Sequence, residues 1–310
     1  MDTSINSLTV SSPVSPVLPQ ELGARLGRAD VPLLLDVRRE GKFVESPYLI
    51  AGAQRCAPED VAALAAMQVA ADPQRQIVVY CVYGHKVSAD AVALLRAAGL
   101  NATFLAGGFE GGEDGIDQPQ DIAAWRANRP LTVKKRADWG VTGEQPSRWI
   151  TRARPKIDRI ACPWLIRRFI DPRAEFLYVP TAQVFDEAKR LNAVAYDIPG
   201  APVSHDGELC SFDVLLNAFE LKSPALDMLA CIVRGADTDR LDLAPQSAGL
   251  LALSLGLSQL HLDDHAMLEA AVPLYDALFA WCRSVGSAAR QGAPAETHNW
   301  IPSTMTGAEK

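Results

Sequence analysis

The 310-residue sequence contains no apolar run near the roughly 18 residues a membrane-spanning helix needs, which excludes a transmembrane reading. It also lacks cysteine pairing. Cys56, Cys81, Cys162, Cys210, Cys231 and Cys282 are scattered without a Cys-x-x-Cys spacing, which speaks against a disulfide framework and for a reducing cytoplasm. A basic excess is missing as well: the net charge of -7 argues against a nucleic-acid partner, because phosphate binding draws on clustered positive charge. The first eighteen residues carry neither a basic nor an apolar signal region, so they do not read as a secretory leader. No internal repeat is evident.

The length exceeds one ordinary domain, and two folding units are expected. Between residues 19 and 129, short apolar runs alternate with helical patterns. Strands are expected at 33–37, near Ile50, at 77–81 and at 102–105, with helices at 20–28, 58–70, 87–98 and 120–128. This pattern implies an α/β domain with a parallel sheet over residues 15–130, preceded by a disordered lead-in at 1–14. A glycine- and acid-rich stretch at 107–115 and the Arg129-Pro130 helix stop suggest a linker at 131–148. A predominantly α-helical domain with a few strands is expected at 149–286. Its helices fall at 160–170, 181–191, 211–221, 224–234, 246–257 and 264–284, its strands at 175–179 and 193–197, and a flexible tail follows at 287–310.

The first chemical signal is Cys81-Val82-Tyr83-Gly84-His85-Lys86, between the apolar run Ile77-Val78-Val79-Tyr80 and a helical pattern. A thiol at a strand end, ringed by loop amides and facing a helix N-terminus, is favoured as thiolate, and the same amides suit a persulfide or sulfur oxyanion. His85 and Lys86 add donors for an anionic sulfur donor, and Gly84 permits the turn. Phosphatase or arsenate-reductase chemistry, which would want Arg six residues after the cysteine, finds Val87 there and loses its bidentate clamp.

These residues resemble the rhodanese family. Asp36-Val37-Arg38 is similar to its Asp-x-Arg after the first core strand, and Leu105-Ala106-Gly107-Gly108-Phe109 to its late glycine pair. Tyr48-Leu49-Ile50-Ala51-Gly52-Ala53 departs from the family's Gly-His-Ile-Pro-Gly-Ala, and Lys86 replaces a common arginine. The resemblance implies a sulfurtransferase of the thiosulfate or mercaptopyruvate type, needing no cofactor, with Cys81, Gly84, His85, Lys86, Asp36 and Arg38 as site residues.

The second half concentrates basic residues: Arg152, Arg154, Lys156, Arg159, Arg167, Arg168 and Arg173 surround an apolar helical run. Arg152, Arg154, Lys156, Arg159 and Arg167 read as an oxyanion-facing cluster, the alternative being a solvated face paired with Asp158 and Asp171. Downstream, His205, Asp237, Asp264 and His265 stand at element ends. They would give a mixed N/O site for divalent iron, manganese or zinc if their loops meet. Helix capping is the competing role for such carboxylates.

The segments RPKIDRIACPWLIRRFIDP, SHDGELCSFDVLL, IVRGADTDRLDLAP and LDDHAMLEAAVPLYDALFAWC resemble the C-terminal domain of ChrB-type chromate-resistance proteins, with Arg234 where relatives are expected to carry histidine. The resemblance implies handling or sensing of chromate. Two functions follow. One is a sulfurtransferase taking sulfur from a small anionic donor to an acceptor not yet identified, with Cys162 and Cys210 as internal candidates. The other is a chromate- or sulfate-responsive sensor on an inactive rhodanese scaffold.

Overall fold

The computed structural model of the chain describes residues 15–290. The expected lead-in at 1–14 and the tail beyond 290 lie outside those residues. In the first half, α1 (Pro19–Arg25) leads into β1 (Leu33–Asp36), α2 (Glu40–Glu45), β2 (Tyr48–Ile50), β3 (Gln54–Arg55), α3 (Val61–Ala71), β4 (Ile77–Tyr80), α4 (Lys86–Ala97), β5 (Ala102–Phe104) and α5 (Pro119–Ala127). The order β3-β1-β4-β5 is parallel throughout, and Asp36 is in register with Tyr80. The two central strands are buried at every position, as their unbroken Leu, Ile and Val runs require of a sheet covered on both faces.

The stretch 131–148 is not a linker. It carries β6 (Thr132–Lys134), which pairs antiparallel with β2 and aligns Tyr48 with Lys134. The physical reason is that β2 is a separate short strand, so Leu49 and Ile50 need a partner of their own, and Val133 buries beside them.

The second half comprises β7 (Arg148–Arg152), α6 (Asp158–Leu165), β8 (Glu175–Val179), α7 (Val184–Leu191), β9 (Val194–Ala195), α8 (Ser211–Ala218), α9 (Pro224–Asp237), α10 (Gln246–Leu260) and α11 (Asp264–Arg290). Helices dominate, and α11 runs past the point where the tail was expected. A π-helical turn at Ile166–Ile170 continues α6. The small parallel sheet has the order β8-β7-β9, so the segment opening the basic stretch is its central strand. Trp149 and Ile150 are fully buried there. Among the described residues, no helix is long and apolar enough to cross a membrane.

One apolar core spans both halves, joining Leu22, Leu26 and Tyr80 to Phe169, Leu226 and Phe279. Polar contacts reinforce it: Gly52 N–H donates to the Phe169 carbonyl at 2.7 Å, and the Arg283 guanidinium donates to the Ala24 and Leu26 carbonyls. Glu220 accepts from Tyr48 Oη and Lys134 Nζ, each at 2.7 Å.

Candidate functional site

Cys81 follows β4 directly, at the carboxyl edge of the parallel sheet, where α/β proteins place ligands. Its side chain is 6% exposed. The loop to α4 turns at Gly84, whose φ of +78° is open to glycine at little cost. Among the described residues, the N–H groups of Val82, Tyr83, Gly84 and His85 donate to no protein acceptor. The loop is held from behind through its carbonyls: Phe109 N–H donates to the Cys81 and Val82 oxygens, and Glu110 N–H to Val82, all at 2.9 Å. Gly107 and Gly108 make this approach feasible. A Cβ on Gly108 would strike Gly84 N and the Cys81 and Val82 oxygens.

Asp36 and Arg38 form a buried pair rather than a pair of groups at the thiol. The guanidinium donates to Asp36 Oδ2 at 2.6 Å, and Tyr80 Oη donates to the same oxygen at 3.0 Å. Arg38 also donates to the Tyr48 carbonyl and lies over the Phe109 ring at 4.2 Å. His85 and Lys86 are engaged elsewhere as well. His85 Nε2 is 2.8 Å from Asp117 Oδ2, and Lys86, 84% exposed, is paired with Asp90 one turn on. Each of the two donors expected to serve an anionic sulfur donor therefore has a carboxylate within reach. Beside the loop lies a cavity of about 770 Å³, with Val82, Tyr83 and Phe109 in its wall. Arg38, Arg129, Glu110 and Glu113 also line it. The cavity residues Arg129, Glu110 and Glu113 were not picked out from sequence.

The other cysteines that titrate do so at high pH. Burial pushes Cys56 up to about 11 and Cys282 up to about 12. It raises Cys162 and Cys210 further, with Asp158 adding to both. Cys162 and Cys210 have no exposed surface, which removes them as open sulfur acceptors.

The basic cluster does not form one anion-binding face. Arg154 donates to the carbonyls of Ser258, His261 and Leu262 at the end of α10, whose terminal oxygens lack helical partners. Arg167 pairs with Glu269 and Arg168 with Asp276. Arg152 and Arg159 converge on Asp197, each 3.2 Å from its Oδ2. Among the described residues the Lys156 ammonium pairs with none of these groups, and its carbonyl accepts the Arg159 N–H at 2.9 Å. The acids of α11 that neutralise Arg167 and Arg168 lie about a hundred residues on, too far along the chain to be read as partners.

Two of the four residues expected at a metal site meet. His205 Nε2 lies 3.0 Å from Asp237 Oδ2, 3.5 Å from Asp197 Oδ1 and 3.6 Å from Asp158 Oδ2. Asp264 and His265 lie outside the group. Asp264 accepts the Arg154 N–H at 3.0 Å, and His265 packs edge-on against Tyr178. Asp158 and Asp197 take their places, because α6 begins just after β7 and Asp197 follows β9, on the same carboxyl edge. Recognising β7 as a strand would have exposed that geometry. Asp197 adopts φ +50°, a left-handed conformation that aspartate tolerates. The carboxylates beside His205, Asp158 foremost, raise its pKa to about 9. Burial, then Asp158 and Asp197, raises Asp237 to about 7. Arg234, paired with Asp213 at 3.4 Å, stands outside this group.

Comparison with known proteins divides the chain in the same way. Residues 18–114 match the model of the rhodanese-like domain, and residues 149–282 that of the ChrB C-terminal domain. Protein ChrB of Cupriavidus metallidurans is 33% identical over 150 residues, 45% of this chain and 45% of that one. The chain therefore spans under half the length of this curated relative. A rhodanese homolog of Thermus thermophilus is 29% identical, covering 30% of this chain and 94% of its own, with a TM-score of 0.23. A rhodanese-like domain protein of Staphylococcus aureus is 20% identical, covering 33% and 96%, with a TM-score of 0.27.

Proposed function

Because residues 18–114 are a rhodanese-like domain and residues 149–282 a ChrB C-terminal domain, we propose that this chain is a sulfurtransferase carrying sulfane sulfur as a persulfide on Cys81. The observation that carries the reading is the loop after β4, which begins at the cysteine and keeps four successive N–H groups, Val82 to His85, free of acceptors among the described residues. Backbone dipoles fixed in this way stabilise negative charge without reorganising when it arrives.

The reaction divides into two displacements. The Cys81 thiolate attacks the outer sulfur of a donor such as thiosulfate. A new S–S bond forms, the donor's S–S bond breaks, and sulfite leaves with the bonding pair. An acceptor nucleophile, cyanide or a small thiolate, then attacks the terminal sulfur and releases the Cys81 thiolate. With Cys162 and Cys210 buried, this reading places the acceptor outside the chain. Arg129 in the neighbouring cavity is suited to an anionic donor, while Glu110 and Glu113 disfavour large polyanions.

The likeness of residues 149–282 to the ChrB C-terminal domain supports a place in chromate resistance. In this reading, sulfur delivered from Cys81 serves that response, in the reducing cytoplasm that six unpaired cysteines suit. Steady-state kinetics with thiosulfate or mercaptopyruvate test it. Wild type should turn over and Cys81→Ser should fall to background with an unchanged circular dichroism spectrum. Equal rates in both would overturn the assignment, and no turnover in either would favour a sensor on a silent scaffold.

A further inference from the structure

We propose that Asp158, Asp197, His205 and Asp237 form a binding site for one divalent transition-metal cation. Among the described residues, one ligand atom from each lies within 4.8 Å of all the others. The four come from separate places in the fold: the start of α6, the residue pair after β9, the loop before α8 and the end of α9. Bonds of about 2.1 Å to a shared cation set neighbouring donors roughly 3.0–3.5 Å apart. The distances from His205 Nε2, 3.0 to 3.6 Å, agree with that spacing.

A second observation separates this group from an ordinary acidic cluster. Asp158 is fully buried, and its Oδ1 has no hydrogen-bond partner. Its Oδ2 accepts the Ser211 N–H at 2.5 Å, which fixes the carboxylate in the cluster. A buried carboxylate oxygen without a donor is costly, and a bound cation removes the deficit. The rival is a protonated His205 bridging the acids. An imidazolium carries a single Nε2 proton, so it serves one of the three carboxylates that converge there. Arg152 and Arg159 reach Asp197 alone, leaving Asp158 and Asp237 without a guanidinium of their own.

The chemistry of the donors sets the class of ion. Three carboxylates with one imidazole suit manganese, iron(II) or zinc, and the absence of thiolate in the set disfavours copper(I). His205 is 42% exposed at its side chain, so ion entry runs past the imidazole, and a coordination position stays open on that side. Ser211 Oγ donating to Asp197 Oδ1 at 2.9 Å, together with the two arginines, orients one ligand from outside.

The test uses the full chain freed of metal and titrated with Mn²⁺, followed by the electron paramagnetic resonance of the free ion, and separately with Zn²⁺ by calorimetry. Wild type should bind one equivalent of at least one of them. His205→Gln, at a partly exposed position that leaves folding intact, and Asp237→Asn should each weaken binding by about tenfold or more. Asp264→Asn and His265→Gln should bind as wild type, and so should Cys81→Ser, which keeps the result independent of the sulfur chemistry. Failure of folded wild type to bind either ion would overturn the proposal. So would unchanged affinity in His205→Gln and Asp237→Asn, or an equal loss in Asp264→Asn.

Discussion

Arg38 links several parts of the first domain behind the cysteine loop. Its guanidinium is held by Asp36, donates to the Tyr48 carbonyl and covers Phe109, the residue whose N–H clamps the loop. Removing it leaves the buried Asp36 carboxylate with only Tyr80 Oη and the Arg38 backbone N–H. Arg38→Ala should therefore destabilise the protein by about 3–5 kcal/mol, read as a lower urea midpoint. The sequence displayed the Asp-x-Arg pattern but not its role, because a pair two residues apart looks equally suited to catalysis and to structure. Legibility was similar at the second site. His205 and Asp237 stood out at element ends, whereas Asp158 read only as a partner of the basic face and Asp197 as the last residue of an expected strand. Asp264 and His265 shared the same outward signs and were drawn into other contacts.

At the scale of elements, apolar runs announced themselves and strands mixed with charged or polar residues did not. The sequence pattern placed β1, β4, β5 and β8 and the later helices α8 to α11. It passed over β3, β6 and β7, which are two, three and five residues long and take their conformation from the strand beside them. The loop from Cys81 to His85 depends on such a non-local partner, the Gly107-Gly108 turn. Gly108→Ala places a methyl group against backbone atoms of Cys81, Val82 and Gly84, at a residue with φ +60°. The expected result is a loss of about 1–3 kcal/mol of stability together with a loss of sulfur transfer, since the clamp and the loop shift together. Full activity at unchanged stability in this variant would refute the clamp.

Taken whole, the chain folds as two chemical units on one core. The β2–β6 pairing, the Glu220 contacts and the packing of Phe169 and Phe279 against Gly27 leave no hinge of free chain between them. Chemical unfolding should consequently follow a single transition, with intrinsic tryptophan fluorescence and far-ultraviolet dichroism giving the same midpoint. Two separated midpoints would mean that the shared core contributes little. Two of the other thiols stay protonated at pH 8: burial lifts Cys56 to about 11 and Cys282 to about 12. The most direct measurement is the intact mass of the protein after incubation with thiosulfate at that pH and removal of the excess donor. A gain of one sulfur atom in wild type, reversed by cyanide and absent from Cys81→Ser, is the predicted result. A wild-type mass that does not change, or the same gain in Cys81→Ser, would contradict it.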